Sequence, residues 1–209
     1  MKTCFFVRKN NSVNSYPVCT EETEIVTYDF EPEIKETIEL VEDFTRHNNR
    51  NVAEKENLSK QIAKKILNKI PRIYGWNFYT PIAKRWCTQF NENSKIISSF
   101  YEASEASHND IVGWSANPES SKNYSCIIFR DHEDESIYMS THLNFMKELF
   151  EGVAGTVIEI PVAGKKLLAK MMYLMQLGDF VSCYLAILRK IDPTPVSVII
   201  ELKEKLAKL

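Results

Sequence analysis

Apolar positions along this chain are sparse and unpatterned before residue 31. The stretch Asn10-Asn11-Ser12-Val13-Asn14-Ser15-Tyr16-Pro17 is turn chemistry, so residues 1–30 are expected to form an irregular arm. At Glu31-Pro32 the pattern changes. Proline suits the first turn of a helix, and Ile34, Ile38, Leu40, Val41 and Phe44 mark one apolar face through His47. Polar Asn48-Asn49-Arg50-Asn51 ends that helix. A second helix is predicted over 54–68, with Leu58, Ile62, Ile66 and Leu67 inward and lysines outward.

From residue 70 the pattern alternates. Short apolar runs at 72–76, 96–100, 124–130 and 155–162 predict strands, and the clearest is Tyr124-Ser125-Cys126-Ile127-Ile128-Phe129-Arg130. Helical spacing occupies 81–90, 136–150 and the long, largely apolar 165–188. Asp192-Pro193-Thr194-Pro195 stops that last helix and starts another over 196–208. Strands alternating with helices of this length predict an α/β fold with a parallel sheet. The expected architecture is a three-layer αβα sandwich around a mostly parallel sheet of about five strands. It follows the arm (1–30) as one domain over 31–209 that includes the linker helices.

Composition narrows the function. The 209 residues carry 26 Lys+Arg against 28 Asp+Glu, a formal charge of −2. That balance offers no basic field for nucleic acid or an anionic membrane. No apolar stretch approaches the roughly 20 residues of a membrane span. Cys4, Cys19, Cys87, Cys126 and Cys183 are odd in number and have no C-x-x-C spacing. Reduced thiols in a cytoplasmic protein are expected, with Cys126 and Cys183 in the core.

Phosphate-cradling and α/β-hydrolase motifs are absent from the sequence. The acidic run Asp131-His132-Glu133-Asp134-Glu135 is metal-like in composition, but a turn capping the following helix is the simpler account. Three segments carry more. One is Arg85-Trp86-Cys87-Thr88-Gln89-Phe90-Asn91-Glu92-Asn93-Ser94-Lys95, where a helix runs into a polar turn. Another is Ser107-His108-Asn109-Asp110-Ile111-Val112-Gly113-Trp114. The last runs from Leu177-Gly178-Asp179 through Asp192-Pro193-Thr194-Pro195-Val196 to Leu202-Lys203. Taken alone, Glu92 could be a solvated helix-end carboxylate, His108 a loop histidine and Lys203 a surface lysine.

In this order the three segments resemble the archaeal-type bifunctional phosphoglucose/phosphomannose isomerases, in particular their second sugar-isomerase (SIS) domain, over residues 31–209. The resemblance implies interconversion of aldose and ketose 6-phosphates through a cis-enediol, with no metal and no cofactor. It implies Glu92 as the base, a group able to carry one proton between C1 and C2. It implies His108 as the ring-opening acid/base, donated across a homodimer interface, and Lys203 as a cation stabilising oxygen charge. Glu92 and His108 are expected in loops at the C-terminal ends of strands, where such sheets bind ligands.

Departures from the family pattern accompany the matches. The first SIS domain, which holds most of the substrate phosphate in that family, does not fit in this length. Ser15-Tyr16-Pro17-Val18-Cys19-Thr20-Glu21-Glu22-Thr23 echoes its phosphate loop through Ser15, Thr20 and the T-E-E-T ending. Pro17, however, removes a backbone N–H, and Val18-Cys19 stands where the family has Gly-Asn. The family's linker arginine has no clear counterpart among Arg8, Arg46 and Arg50, and Asp110 stands where the family has Glu. Two functions stay open: a sugar-phosphate isomerase of glucose 6-phosphate or mannose 6-phosphate, or a non-catalytic or half-enzyme SIS module that binds a phosphosugar or a partner subunit. A separate first-domain partner would suit either, and an exposed apolar surface is expected where that domain would pack.

Overall fold

The computed structural model describes residues 2–7 and 24–209. Strands β1 (Lys2–Val7) and β2 (Glu24–Asp29) pair antiparallel, with Lys2 opposite Asp29 and Val7 opposite Glu24. The arm is therefore not wholly irregular. Phe5-Phe6-Val7 and Ile25-Val26-Thr27-Tyr28 are strong strand formers, too short to register beside the polar stretch that separates them. The echo of a phosphate loop at 15–23, with Ser15 and Thr20, lies outside the described residues.

Helix α1 (Glu31–Asn48) starts on the Pro32 turn, with Glu31 and Glu33 at its positive end and Arg46 and His47 at its negative end. A single 3-10 turn, Glu54–Glu56, leads to α2 (Leu58–Ile66). The buried Asn57 caps α2 by accepting from the Lys60 amide at 2.9 Å, an interaction worth about 1 kcal/mol. Asn48 at the end of α1 accepts from the amide and hydroxyl of Ser59, which locks the two helices together.

Then the chain alternates as predicted. Strand β3 (Ile70–Gly75) is followed by α3 (Thr80–Glu92), and β4 (Ser99–Glu102) by the short helices α4 (Ala103–Ala106), α5 (Asp110–Ala116) and α6 (Pro118–Ser121). Strand β5 (Tyr124–Arg130) leads to α7 (Ile137–Val153), β6 (Thr156–Pro161) to α8 (Leu167–Leu188), and α9 (Ser197–Leu206) closes the chain. The sheet has order β4-β3-β5-β6 with every pair parallel. It has four strands, one fewer than the expected number of about five, and β1 and β2 form a separate pair.

Side-chain alternation assigns the layers. In register, Ile73 pairs with Ile127 and Tyr74 with Ile128, so Ile73, Ile127 and Phe129 face one way and Tyr74, Cys126 and Ile128 the other. Helices α3 and α8 cover the first face: Trp86 stands edge-on to Phe129 at 5.2 Å and donates to the Leu174 carbonyl at 2.7 Å. Gly178 of α8 is required there, since a Cβ would come within 2.4 Å of the Trp86 Nε1. Helices α1 and α2 pack outside α8, with Phe44 edge-on to Tyr173 and Phe180. On the second face, Phe150 of α7 packs at 5.0 Å from Tyr74 and 4.8 Å from Trp114 of α5. The result is the αβα sandwich.

Two further expectations need correction. Helix α8, with 22 residues and a mean hydropathy of 1.4 over its most apolar window, is long and apolar enough to cross a membrane by length and composition. Here Leu174, Leu177, Val181 and Leu185 are buried in the core instead, because α8 is the helix that α1, α2 and α3 all pack against. Cys126 is buried as expected, but Cys183 is exposed, while Cys87 is the other buried thiol among the described residues.

Candidate active site

Glu92 is the last residue of α3, and it is exposed. The turn after it is held firmly. The Asn93 side chain donates to the Ser182 hydroxyl at 2.8 Å, Ser94 Oγ donates to the Ser182 carbonyl at 2.7 Å, and the Arg189 guanidinium donates to the Ser94 carbonyl. All three tie the end of α3 to α8. Asn91, Glu92 and Lys95 line one wall of a groove of about 230 Å³, and Pro195, Val196 and Ile199 line the other. The sheet position differs from the expectation. Because α3 runs back from the end of β3 to the start of β4, Glu92 sits at the end where the strands begin, not at their C-terminal ends.

His108 lies between α4 and α5, exposed, with its amide donating to the Glu105 carbonyl. The next residues are anchored. Asn109 caps α5 and donates to Glu105 at 2.8 Å. Asp110 receives the Arg72 guanidinium, the Tyr74 hydroxyl at 2.7 Å and the Trp114 indole N–H at 3.0 Å. Arg72 is further held 4.3 Å from the Tyr101 ring centre. Burial, chiefly, pushes the Tyr74 hydroxyl well above its ordinary pKa, so it stays a donor to Asp110. On the other side, His142 of α7 meets the Ser107 hydroxyl at 3.0 Å. The His108 loop is therefore fixed on the α7 face of the sheet, whereas Glu92 belongs to α3 on the α8 face. The sheet itself separates them within one chain.

Lys203 lies on α9, which carries no buried residue. Ile199 lines the groove with Glu92, and Lys203 is four residues further on the same helix face. Lys203 is thus one helical turn beyond the groove that Glu92 lines and is not part of its lining, and His108 is on the far side of the sheet. The apolar residues Val198, Ile200, Leu202 and Leu206 of α9 are exposed.

The acidic turn after β5 does not cap α7, whose cap is the Ser136 hydroxyl. Instead its carboxylates hold two buried cations. Lys170 reaches both oxygens of Asp131, at 3.0 and 3.1 Å, and Asp134 at 2.8 Å, while the Tyr79 hydroxyl donates to Asp131. Arg130 donates twice to Glu135 at 2.9 Å and also to Asn144 and Glu159. Burial tends to raise the Asp131 pKa, but hydrogen bonds from Tyr79 and Lys170 outweigh it and hold the carboxyl below its usual range. Among the described residues no group of three or more His, Cys, Asp or Glu is arranged to hold a metal. The anchors of the His108 loop, Arg72 and Tyr74, and the Lys170 cluster escape a sequence reading, since partners such as Arg72 and Asp110 lie 38 positions apart.

This parallel sheet between helical layers is an α/β fold that other solved structures share. It superposes on a glucose-6-phosphate isomerase like protein from Thermus thermophilus with a TM-score of 0.67 at 23% identity, covering 78% of this chain and 54% of that one. A second likeness in fold is the C-terminal domain of glucosamine-fructose-6-phosphate aminotransferase from Francisella tularensis, with a TM-score of 0.58 at 16% identity, covering 77% of this chain and 45% of that one. Residues 55–206 match the family described as the bacterial phospho-glucose isomerase C-terminal SIS domain, and the chain belongs to that family. It is 38% identical over 178 residues to a bifunctional phosphoglucose/phosphomannose isomerase from Caldicellulosiruptor bescii, covering 85% of this chain and 52% of that protein. A protein of the same description from Thermoplasma volcanium is 36% identical over 153 residues, covering 71% of this chain and 47% of that protein. The chain spans about half the length of the curated relatives it matches.

Proposed function

We propose that this chain is the half of a sugar-phosphate aldose–ketose isomerase that carries the catalytic residues, acting on glucose 6-phosphate or mannose 6-phosphate and fructose 6-phosphate in the cytoplasm. Glu92 takes the proton from C2 of the open aldose, leaving a cis-enediol, and returns it to C1 to give the ketose; the O1 and O2 protons exchange with groups in the site or with solvent. Its carboxylate is suited to this by standing at the rim of an open groove on a turn that α8 holds still. Lys203, one turn along α9 from that groove, stabilises the oxygen charge of the enediolate and of ring opening.

The observation that carries the proposal is the pairing of Glu92 with α9 in one groove, within a chain of this family. His108 sits across the sheet, so its role as ring-opening acid/base requires a second copy to present it, as in a two-fold dimer that exchanges histidines. The half-length match supports one further reading: a domain from another chain completes the phosphate site, docking on the exposed apolar side of α9.

One experiment addresses both parts. Turnover of fructose 6-phosphate to each aldose is measured by coupled assay for the wild type, Glu92→Gln, His108→Ala and an equimolar mixture of the two variants. Each variant alone is expected to lose about 100-fold or more of the rate. The mixture should recover about a quarter of the wild-type rate, because half of randomly exchanged dimers carry one intact site of two. An active Glu92→Gln protein rejects the base assignment, and a mixture no better than its parts rejects the shared site. A folded wild type with no turnover favours a half-enzyme that awaits its partner domain.

A further inference from the structure

Lys95 closes the Asn91-Glu92-Asn93-Ser94-Lys95 motif, and the chemistry above does not use it. Its backbone has φ of +50°, a left-handed conformation that side-chain-bearing residues avoid and glycine accepts. Its ammonium bridges two parts of the chain, donating to the Glu92 carbonyl at 2.6 Å and to the Pro193 carbonyl at 3.1 Å. The first acceptor is one of the carbonyls that a helix end leaves without a partner, at the negative end of the α3 dipole, where a cation is favoured.

The second acceptor lies in the turn that launches α9. That turn is organised by the Thr194 amide, which donates to Asp192 Oδ1 at 2.9 Å. Hydrogen bonds from Thr194, followed by the charge of Lys95, hold the Asp192 carboxyl below its usual range. Since α9 buries no residue of its own, its placement against α3 depends on how its launching turn is tied. The Ser94 side of the same motif is tied to α8, so Lys95 is where the anchored end of α3 meets the α9 linker.

We propose that Lys95 is a positioning residue: its ammonium clamps the 192–195 turn to the end of α3 and so holds Lys203 beside the groove that Glu92 lines. The inference rests on the assignment of Glu92 and Lys203 above, and its test separates the two. Amide hydrogen exchange is followed in the full chain for the wild type, Lys95→Met and Lys95→Gly. Both variants are expected to exchange about tenfold faster through Ser197–Leu206, with β5 and α8 unchanged. Glycine removes the ammonium but relaxes the left-handed backbone, so Lys95→Gly should keep or raise the Tm while α9 loosens, which a general loss of stability would not do.

Unchanged α9 exchange in both variants overturns the proposal, as does an α9 that exchanges without protection in the wild type. Where the wild type turns over, Lys95→Gly should lower kcat about tenfold and leave KM within about twofold. An unaltered kcat alongside a loosened α9 overturns the functional part. Absence of turnover in every protein bears on the catalytic assignment, and the exchange result still decides the clamp.

Discussion

At the C-terminal end of β5, Lys170 and Asp131 are both almost wholly buried, and the carboxylates, the ammonium and the Tyr79 hydroxyl satisfy one another. At the end of α3, Glu92 and Lys95 stand exposed, as does Lys203 on α9. In the first cluster Lys170 and Asp131 are closed off from solvent and already have partners, and the exposed Asp134 is paired to the same ammonium. The second is open, its backbone tied to α8 and its carboxylate free to meet a ligand in the groove. Hydrogen bonding and burial, which perturb the acids and bases of the first cluster most, therefore mark a structural lock at the very sheet end where α/β folds usually bind ligands. The motif segment around Glu92 and the start of α9 fall in the other region, and the His108 segment falls in neither.

The sharpest way to break this contrast is to cut the lock. Lys170→Met leaves Asp131 buried without its cation, and is expected to lower unfolding stability by about 3–5 kcal/mol, measured by urea denaturation. A loss near zero would mean that the closed cluster is not holding the fold.

A smaller effect follows from pH. The Asp131 carboxyl titrates below its unfolded value, so its contribution is present above about pH 4 and fades as pH falls through its folded pKa. The stability gap between the wild type and Asp131→Asn should therefore narrow from about pH 5 to pH 2. A gap that stayed constant or widened would remove the charge from the explanation.

The smallest effect belongs to the open region. Lys203→Ala, on a helix with no buried residue, should change stability by no more than about 0.5 kcal/mol while reducing turnover. A large loss of stability would show that α9 is a structural element and would blur the distinction between the two regions.

Much of this organisation was legible in the residues. The run Tyr124–Arg130 is a strand from end to end, since a short stretch rich in isoleucine and aromatic residues without polar alternation suits a strand buried on both faces. The helix start at Pro32 and the stop before Asp192 follow equally from local chemistry. The motif order around Glu92, His108 and Lys203 pointed to the family without any coordinates. Less legible were features that depend on distance: the pairing of β1 with β2, the outward turn of Cys183, and the fate of the acidic run after β5. Its carboxylates looked like a helix cap because a cap is a local device, whereas Lys170 approaches from 39 positions away.

Element type, the alternation of strand and helix and the choice of candidate site residues thus came from the sequence itself, because propensity, periodicity and motif spacing act within a few residues. Which end and which face of the sheet each side chain occupies was decided only by the tertiary structure. A parallel sheet sends its connecting helices to either face, and α3 and α5 went to opposite ones. Covalent neighbours along the chain carry no record of that choice, which is set by packing among Trp86, Gly178, Tyr74 and Phe150. That choice leaves Glu92 facing the start of α9 and sets His108 apart.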